Sequence, residues 1–286
     1  MERRHMIQLF ACDLDGTLLL NGDELSGGVS PENFDAVQLL HRKNVRFLMA
    51  SGREHHYRRK LEKQFGFQID AIGMNGCCVM VDEKLVSYHT IQKQDVLDLM
   101  AASLELPFFM NVMSLDVVGN HIFTMPDRYP FSMFKDFEAN GDMTRLIDEP
   151  LSSWLENPAN AEASKIVGIV DDPSNRDLAI DFLKKRFDRR FDILFSGPFY
   201  IEIMPKNVSK GNALLDLMKA YDYKPENVAV IGDSMNDISM MKVTPYSFAM
   251  SHAEERVQKY ANYIVKSVAE AVKIVLKLNE ENHAEI

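Results

Sequence analysis

A chain of 286 residues, 46% hydrophobic and 26% charged, has the composition of a soluble globular protein, long enough for two moderate domains whose cores need neither disulfide nor zinc. Its formal net charge of −10 argues against a nucleic-acid surface, which would carry a basic face. The three cysteines, Cys12, Cys77 and Cys78, give neither an even disulfide framework nor a zinc spacing. The short apolar run behind Met1-Glu2-Arg3-Arg4-His5 falls far short of a secretion signal or a membrane span, so a cytoplasmic protein with no membrane partner is expected.

In chain order, Ile7 to Cys12 reads as a buried strand of a parallel sheet, hydrophobic on both faces. It runs into Asp13-Leu14-Asp15-Gly16-Thr17, which sets two carboxylates at a strand end, where open α/β sheets hold their ligands. Gly16 lets the backbone bend there. Taken alone, the segment is either an Asp-Gly turn or a cation loop. Ser30-Pro31 then caps a helix with an apolar face of Phe34, Val37, Leu39 and Leu40. Val45 to Ala50 is a second strand, ending in Ser51-Gly52-Arg53; a hydroxyl beside free N–H groups there is a phosphate-oxygen cradle or a plain cap. Glu54 to Phe65 reads as a helix closed by Gly66, on which the adjacent His55 and His56 do not face one point. This β-α-β-α order predicts a parallel, doubly wound sheet.

A third strand, Asp70 to Met74, reaches Asn75-Gly76, which lines a site or simply turns the chain. The runs Val79 to Val81 and Leu85 to Ser87 suggest a hairpin around Asp82-Glu83-Lys84. From Ile91 the texture becomes α+β. A helix to Leu104 precedes strands at Phe108 to Met113, Asp116 to Val118 and Ile122 to Met125, with a turn at Gly119-Asn120. Pro126 to Asn160, including Trp154, reads as loops and short helices. Lys165 to Val170 is a strand, Ser174 to Phe187 a helix, and Phe191 to Met204 one or two strands. The doubly wound pattern resumes with a helix from Ser209 to Tyr221, the strand Val228 to Ile231, a helix from Asn236, the strand Ser247 to Met250 and alternating segments to Leu278.

Val228 to Ile231 runs into Gly232-Asp233-Ser234-Met235-Asn236-Asp237, placing Asp233 at the strand end and Asp237 one helical turn on. Carboxylates gathered from two strand ends repel one another unless a hard cation lies among them, and magnesium is the expected one. A capped helix start accounts for the same residues. Lys210 opens its helix against the macrodipole, a misfit that facing a phosphate would relieve; a solvated surface lysine is the alternative.

Taken together, Asp13-x-Asp15-Gly16-Thr17, Ser51-Gly52-Arg53, Lys210-Gly211 and Gly232-Asp233-x-x-Asn236-Asp237 resemble, in order, the four motifs of the haloacid dehalogenase superfamily, specifically its Cof-type branch of sugar-phosphate phosphatases. The resemblance covers nearly the whole chain. It implies an α/β fold: a doubly wound parallel-sheet (Rossmann-like) core of residues 1–87 and 198–286, with an inserted α+β cap of the C2B type at 88–197 that sets specificity. It further implies that Asp13 is the nucleophile that takes the phosphoryl group and that Asp15 is the acid/base. Leu14, Ser51, Gly52, Lys210 and Asn236 would hold phosphate oxygens, with Thr17 steadying the same loop. Mg2+ would be held by Asp13, the backbone carbonyl of Asp15 and Asp233, with Asp237 in support. The implied activity is Mg-dependent hydrolysis of a small phosphorylated metabolite, such as a sugar phosphate, through an aspartyl-phosphate. A phosphomutase or phosphotransferase, and a catalytically silent binding module, are the alternatives on the same fold. One departure stands out: Ala249-Met250-Ser251-His252-Ala253 carries His252 where the family has asparagine, which bears on loop packing near the metal.

Overall fold

The computed structural model describes residues 6–19, 28–116, 120–125, 145–147, 149–157, 162–195 and 198–284. Two compact units divide the chain, Met1–Val86 with Ser209–Ile286, and Ser87–Val208. The first stretch runs β1 (Leu9–Cys12), α1 (Pro31–Arg42), β2 (Arg46–Ala50), α2 (Arg58–Phe65), β3 (Asp70–Gly73), β4 (Cys78–Val81) and β5 (Lys84–Tyr88). The second unit carries β6 (Ile91–Gln92), α3 (Lys93–Ser103), β7 (Met110–Leu115), β8 (Asn120–Phe123), β9 (Arg145–Ile147), α4 (Leu151–Trp154), β10 (Glu162–Ala163), β11 (Lys165–Val170), α5 (Arg176–Phe187), β12 (Phe191–Phe195) and β13 (Tyr200–Pro205). The chain then returns with α6 (Lys210–Ala220), β14 (Val228–Gly232), α7 (Ile238–Met241), β15 (Tyr246–Met250), α8 (Glu255–Gln258), β16 (Tyr263–Val265) and α9 (Val268–Ala284).

In the first unit eight strands form one sheet in the order β16-β15-β14-β1-β2-β3-β4-β5. Pairing is parallel from β16 to β3 and antiparallel between β3 and β4. β1 is central because both its faces are apolar and all four of its residues are buried. Leu9 and Ala11 point into a cluster with Leu214, Leu217 and Met240, while Phe10 faces the other way, its ring 6.5 Å from that of Phe47. Leu9 pairs with Val228 and Cys12 with Ile231, so the loops after β1 and β14 emerge side by side. The chain leaves β1 for β2 on one side and reaches β14 only much later on the other. This is the topological switch point at which open α/β sheets bind ligands.

The second unit is built differently, on a six-stranded sheet in the order β12-β13-β11-β7-β8-β9 and a separate β10-β6 pair. Helices α3 and α5 supply Val96, Leu99, Ala179 and Leu183 to its main core, with Val112, Ile166 and Ile203 from the strands. It opens at Ser87 and closes at Val208, where 88 and 197 were expected. The difference lies in β13, which pairs with both β11 and β12 and so belongs to this sheet.

Elsewhere the differences are local. The helix expected over Glu54 to Phe65 is a 3-10 turn, His55–Tyr57, followed by α2, and in that tighter turn the His55 and His56 rings lie with centroids 3.9 Å apart. The third strand stops at Gly73 because Met74 and Asn75 adopt left-handed backbone. Phe191 to Met204 resolves into two strands. The turn placed at Gly119-Asn120 and the strand at Asp116 to Val118 lie partly outside the described residues, as does most of Pro126 to Asn160; Trp154 closes the short α4. Among the described residues, no helix is long and apolar enough to cross a membrane.

Candidate active site

Asp13 follows the last residue of β1, and its N–H donates to the Ile231 carbonyl at 3.0 Å, locking the loop to the neighbouring strand. The next residues fold back on themselves: Thr17 and Leu19 both donate to the Leu14 carbonyl, at 3.1 and 2.9 Å, and Gly16 donates to Leu19 at 3.1 Å. Leu14 is thereby fully buried. Gly16 has φ +82°, and a Cβ there would overlap the Asp233 carboxylate. Glycine therefore serves twice, for the turn and for the close approach of the second acidic loop.

Three carboxylates, those of Asp13, Asp233 and Asp237, offer oxygens within 4.8 Å of one another. Lys210 reaches into them from the first turn of α6, donating to Asp13 Oδ1 and to Asp237 Oδ1 at 2.7 Å each. It is fully buried, which rules out a solvated surface lysine. Asp237 is engaged on both oxygens, since its Oδ2 accepts the N–H groups of Asp233 and Ser234 at 3.1 and 2.9 Å. Asp233 receives the Thr17 hydroxyl at 3.5 Å and has His252 Nε2 3.7 Å from its Oδ2. His252, where the family's asparagine was expected, thus stands directly against the acidic cluster, half-exposed.

The electrostatic consequences follow from burial and from like charge. Burial pushes Asp13 well above the usual carboxylate range, the charge of Asp237 adds to the effect and Lys210 opposes it. Asp233 is pushed up to about 6, first by burial and then by Asp237. Burial alone would lower Lys210, yet Asp13 and Asp237 hold it above its ordinary value. One ammonium among three carboxylates leaves a surplus of negative charge in a desolvated place. The donors are all oxygen, the set a hard cation such as Mg2+ prefers, so the residues present fit that ion.

Asp15 does not join this cluster through its side chain. It points outward, 47% exposed, into a two-pronged pair with Arg53, whose Nε lies 2.9 Å from Oδ2 and whose Nη2 lies 2.6 Å from Oδ1. The Arg53 guanidinium also lies over the Tyr57 ring, 4.5 Å from its centroid. Ser51 is fully buried at the end of β2, where its hydroxyl accepts the Arg53 N–H at 3.1 Å. Beyond Gly52, Asn75 faces that loop, and its Oδ1 accepts from Asn236 Nδ2 at 3.0 Å. The carboxyl end of the sheet therefore gathers Asp13, Lys210, Asp233 and Asp237 in one hydrogen-bonded group, with Thr17 and His252 against Asp233. Asp15 pairs with Arg53 outside it, and Ser51, Gly52 and Asn236 adjoin Arg53 or Asn75. Arg53 has no role assigned from the sequence, where the signal available was a cation three residues beyond a strand end; Asn75 stands there within Asn75-Gly76, which lines a site or simply turns the chain, and the structure sets it against the loop that carries Gly52.

A parallel α/β sheet whose switch point presents a buried lysine among clustered acids defines an enzyme rather than a scaffold, because nothing in folding calls for such a charge surplus. The chain belongs to the haloacid dehalogenase-like hydrolases, whose sequence model matches residues 10–276, and it is a phosphoric monoester hydrolase. A Streptococcus pyogenes relative named as a phosphatase is 29% identical over 264 residues, covering 91% of this chain and 93% of its own. The Bacillus subtilis 5-amino-6-(5-phospho-D-ribitylamino)uracil phosphatase YcsE is 26% identical, over 90% of this chain and 89% of its own. Among solved structures, a HAD/COF-like hydrolase from Plasmodium vivax superposes with a TM-score of 0.80 at 22% identity, over 96% of this chain and 97% of its own. A haloacid dehalogenase-like hydrolase from Bacteroides thetaiotaomicron does so with 0.76 at 22% identity, over 94% and 99%.

Proposed function

We propose that the protein is a Mg-dependent phosphatase that hydrolyses a small phosphorylated metabolite of the sugar-phosphate type through an aspartyl-phosphate. The observation that carries this reading is the buried Asp13 carboxylate, held 2.7 Å from a fully buried Lys210 within an acid surplus. The name of YcsE, a phosphatase of a phosphorylated ribityl compound, supports a phosphorylated polyol or sugar as substrate.

In the first step an Asp13 oxygen attacks phosphorus, the ester P–O bond breaks, and Asp15 delivers a proton to the leaving oxygen. In the second, Asp15 takes a proton from water, the water oxygen attacks phosphorus, and the Asp13–phosphorus bond breaks to release phosphate and restore the carboxylate. Lys210 offsets negative charge as phosphate approaches Asp13, and Leu14, Thr17, Ser51, Gly52 and Asn236 orient the phosphoryl oxygens. Asp13, the Asp15 carbonyl and Asp233, supported by Asp237, would hold Mg2+, which when bound neutralises charge on the phosphoryl group. Arg53 occupies both oxygens of Asp15, so that pair opens for Asp15 to reach the leaving oxygen. Choice among phosphorylated metabolites is assigned to the unit Ser87–Val208, as the Cof-type resemblance implies.

The test is release of free phosphate from a panel of phosphorylated sugars, polyols and nucleotides with MgCl2, beside an Asp13→Asn control. Release that needs both the metal and Asp13 is expected, with the control lower by on the order of 10⁴-fold or more. Transfer of the phosphoryl group to a second hydroxyl without free phosphate would replace hydrolysis with group transfer. No turnover of any ester would reduce the protein to a binding module.

A further inference from the structure

Strand β3 ends in an unusual way. Met74, Asn75 and Gly76 have φ values of 49°, 54° and 106°, three consecutive residues in left-handed backbone, and Met74 and Asn75 are buried. A left-handed conformation costs a non-glycine residue roughly 1–2 kcal/mol, and it persists only where the surroundings impose it. Here two backbone bonds do so: Met74 donates to the Arg53 carbonyl at 2.8 Å and Asn75 to the Ser51 carbonyl at 3.0 Å.

The result is that the Asn75 amide lies between loops from different strands. A Cβ on Gly52 would stand 3.4 Å from Asn75 Oδ1, so the loop after β2 passes directly over it. The same Oδ1 accepts from Asn236 Nδ2 in the loop after β14. On the next residue, a Cβ at Gly76 would overlap the Ser209 carbonyl, so only glycine lets this turn close against the start of α6. An amide side chain has two N–H donors, and committing one of them to Asn75 aims the other. It also fixes Asn236 Oδ1, which is buried without a partner among the described residues.

We infer that Asn75 is a positioning residue of the phosphate site: by holding Asn236 and packing on Gly52 it sets the direction of the donors that meet the phosphoryl group. The inference rests on the phosphate-binding roles proposed above for Ser51, Gly52 and Asn236. It assigns Asn75 to binding, with no part in proton transfer or attack.

Asn75→Gly is the informative variant, because glycine accepts the left-handed backbone while the amide is lost. Asn75→Ser, whose hydroxyl is too short to span to Asn236, is run beside it in case the glycine variant fails to fold. With MgCl2 present, KM for the preferred ester and the inhibition constant of inorganic phosphate should both rise roughly tenfold, by analogy with outer-shell partners of bound groups, while kcat changes less. In an Asn236→Ala background the same substitution should have no further effect on either constant. A lowered melting temperature with both constants unchanged, or the full penalty retained in the Asn236→Ala background, would overturn the inference. Wild-type protein that hydrolyses nothing but binds inorganic phosphate by calorimetry would refute the phosphatase reading alone, and the phosphate affinities of the variants then decide for or against Asn75. If wild-type protein neither hydrolyses an ester nor binds phosphate, both readings fall.

Discussion

Each unit of this chain buries a lysine against carboxylate, in different surroundings. In the second unit Lys165 on β11 and Glu202 on the neighbouring β13 are both buried and meet at 2.8 Å, a cation beside an anion. In the first unit Lys210 sits 2.7 Å from both Asp13 and Asp237, with Asp233 gathered to them, one cation among three anions. A buried contact of this kind sets one charge directly against its opposite. A surplus of desolvated carboxylates raises the free energy of the empty protein, and that cost is offset when a cation arrives. The imbalance, more than the presence of buried charge, marks the functional end of the molecule.

Removing each lysine in turn is the largest way to sharpen this contrast. Lys165→Met and Lys210→Met should each destabilise the fold by about 3–5 kcal/mol, since each strips a cation from a buried carboxylate. Only the Lys210 variant should also lose turnover, by on the order of 10²–10³-fold. Only there should MgCl2 recover part of the lost stability. Denaturant melts with and without the metal would break the contrast if both variants answered Mg2+ alike.

A smaller effect is expected at Gly16. In Gly16→Ala the new methyl is strained by φ +82° and meets the Asp233 carboxylate. Mg2+ affinity by titration calorimetry should fall roughly tenfold, with a loss of stability of about 1–3 kcal/mol. An unchanged affinity would mean that Asp233 is not where the cation binds.

The smallest effect concerns a third way of burying an ionisable group, which is to keep it neutral. Burial lowers His55 to about 4, helped by His56 and Arg58. The unfolded chain binds a proton at its ordinary 6.5 that the folded protein refuses until about 4, so this residue's contribution to stability is full above 6.5 and is lost as pH falls through that window. Unfolding free energies between pH 7.5 and 4.5 should decline less steeply in His55→Asn. Parallel profiles would show that His55 takes up its proton without resistance.

What the sequence reveals about this architecture depends on how local each feature is. Asp13 and Asp233 stand at strand ends because each apolar run of the parallel sheet stops just before them, a pattern read directly from the chain. The burial of Lys210 is likewise foreshadowed by its awkward place at a helix start. Features made by loops meeting in space leave weaker traces. Arg53 and Asp15 are thirty-eight positions apart, and no periodicity relates them. Asn75-Gly76 reads as lining a site or as a plain turn, and what decides between them is spatial: the carbonyls of Ser51 and Arg53 impose the left-handed backbone there. The boundary at 197 misses β13 because a strand buried in one sheet has the same alternation as a strand of the next, and only its pairing with β11 and β12 decides the matter.

The proposed aspartyl-phosphate can be trapped by quenching the enzyme in acid during turnover of its best ester with MgCl2 and mapping the protein by mass spectrometry. A phosphoryl group on the peptide containing Asp13, absent in Asp13→Asn and discharged on continued incubation without substrate, is expected. Steady release of phosphate with no label on Asp13, or turnover that survives Asp13→Asn, would contradict it.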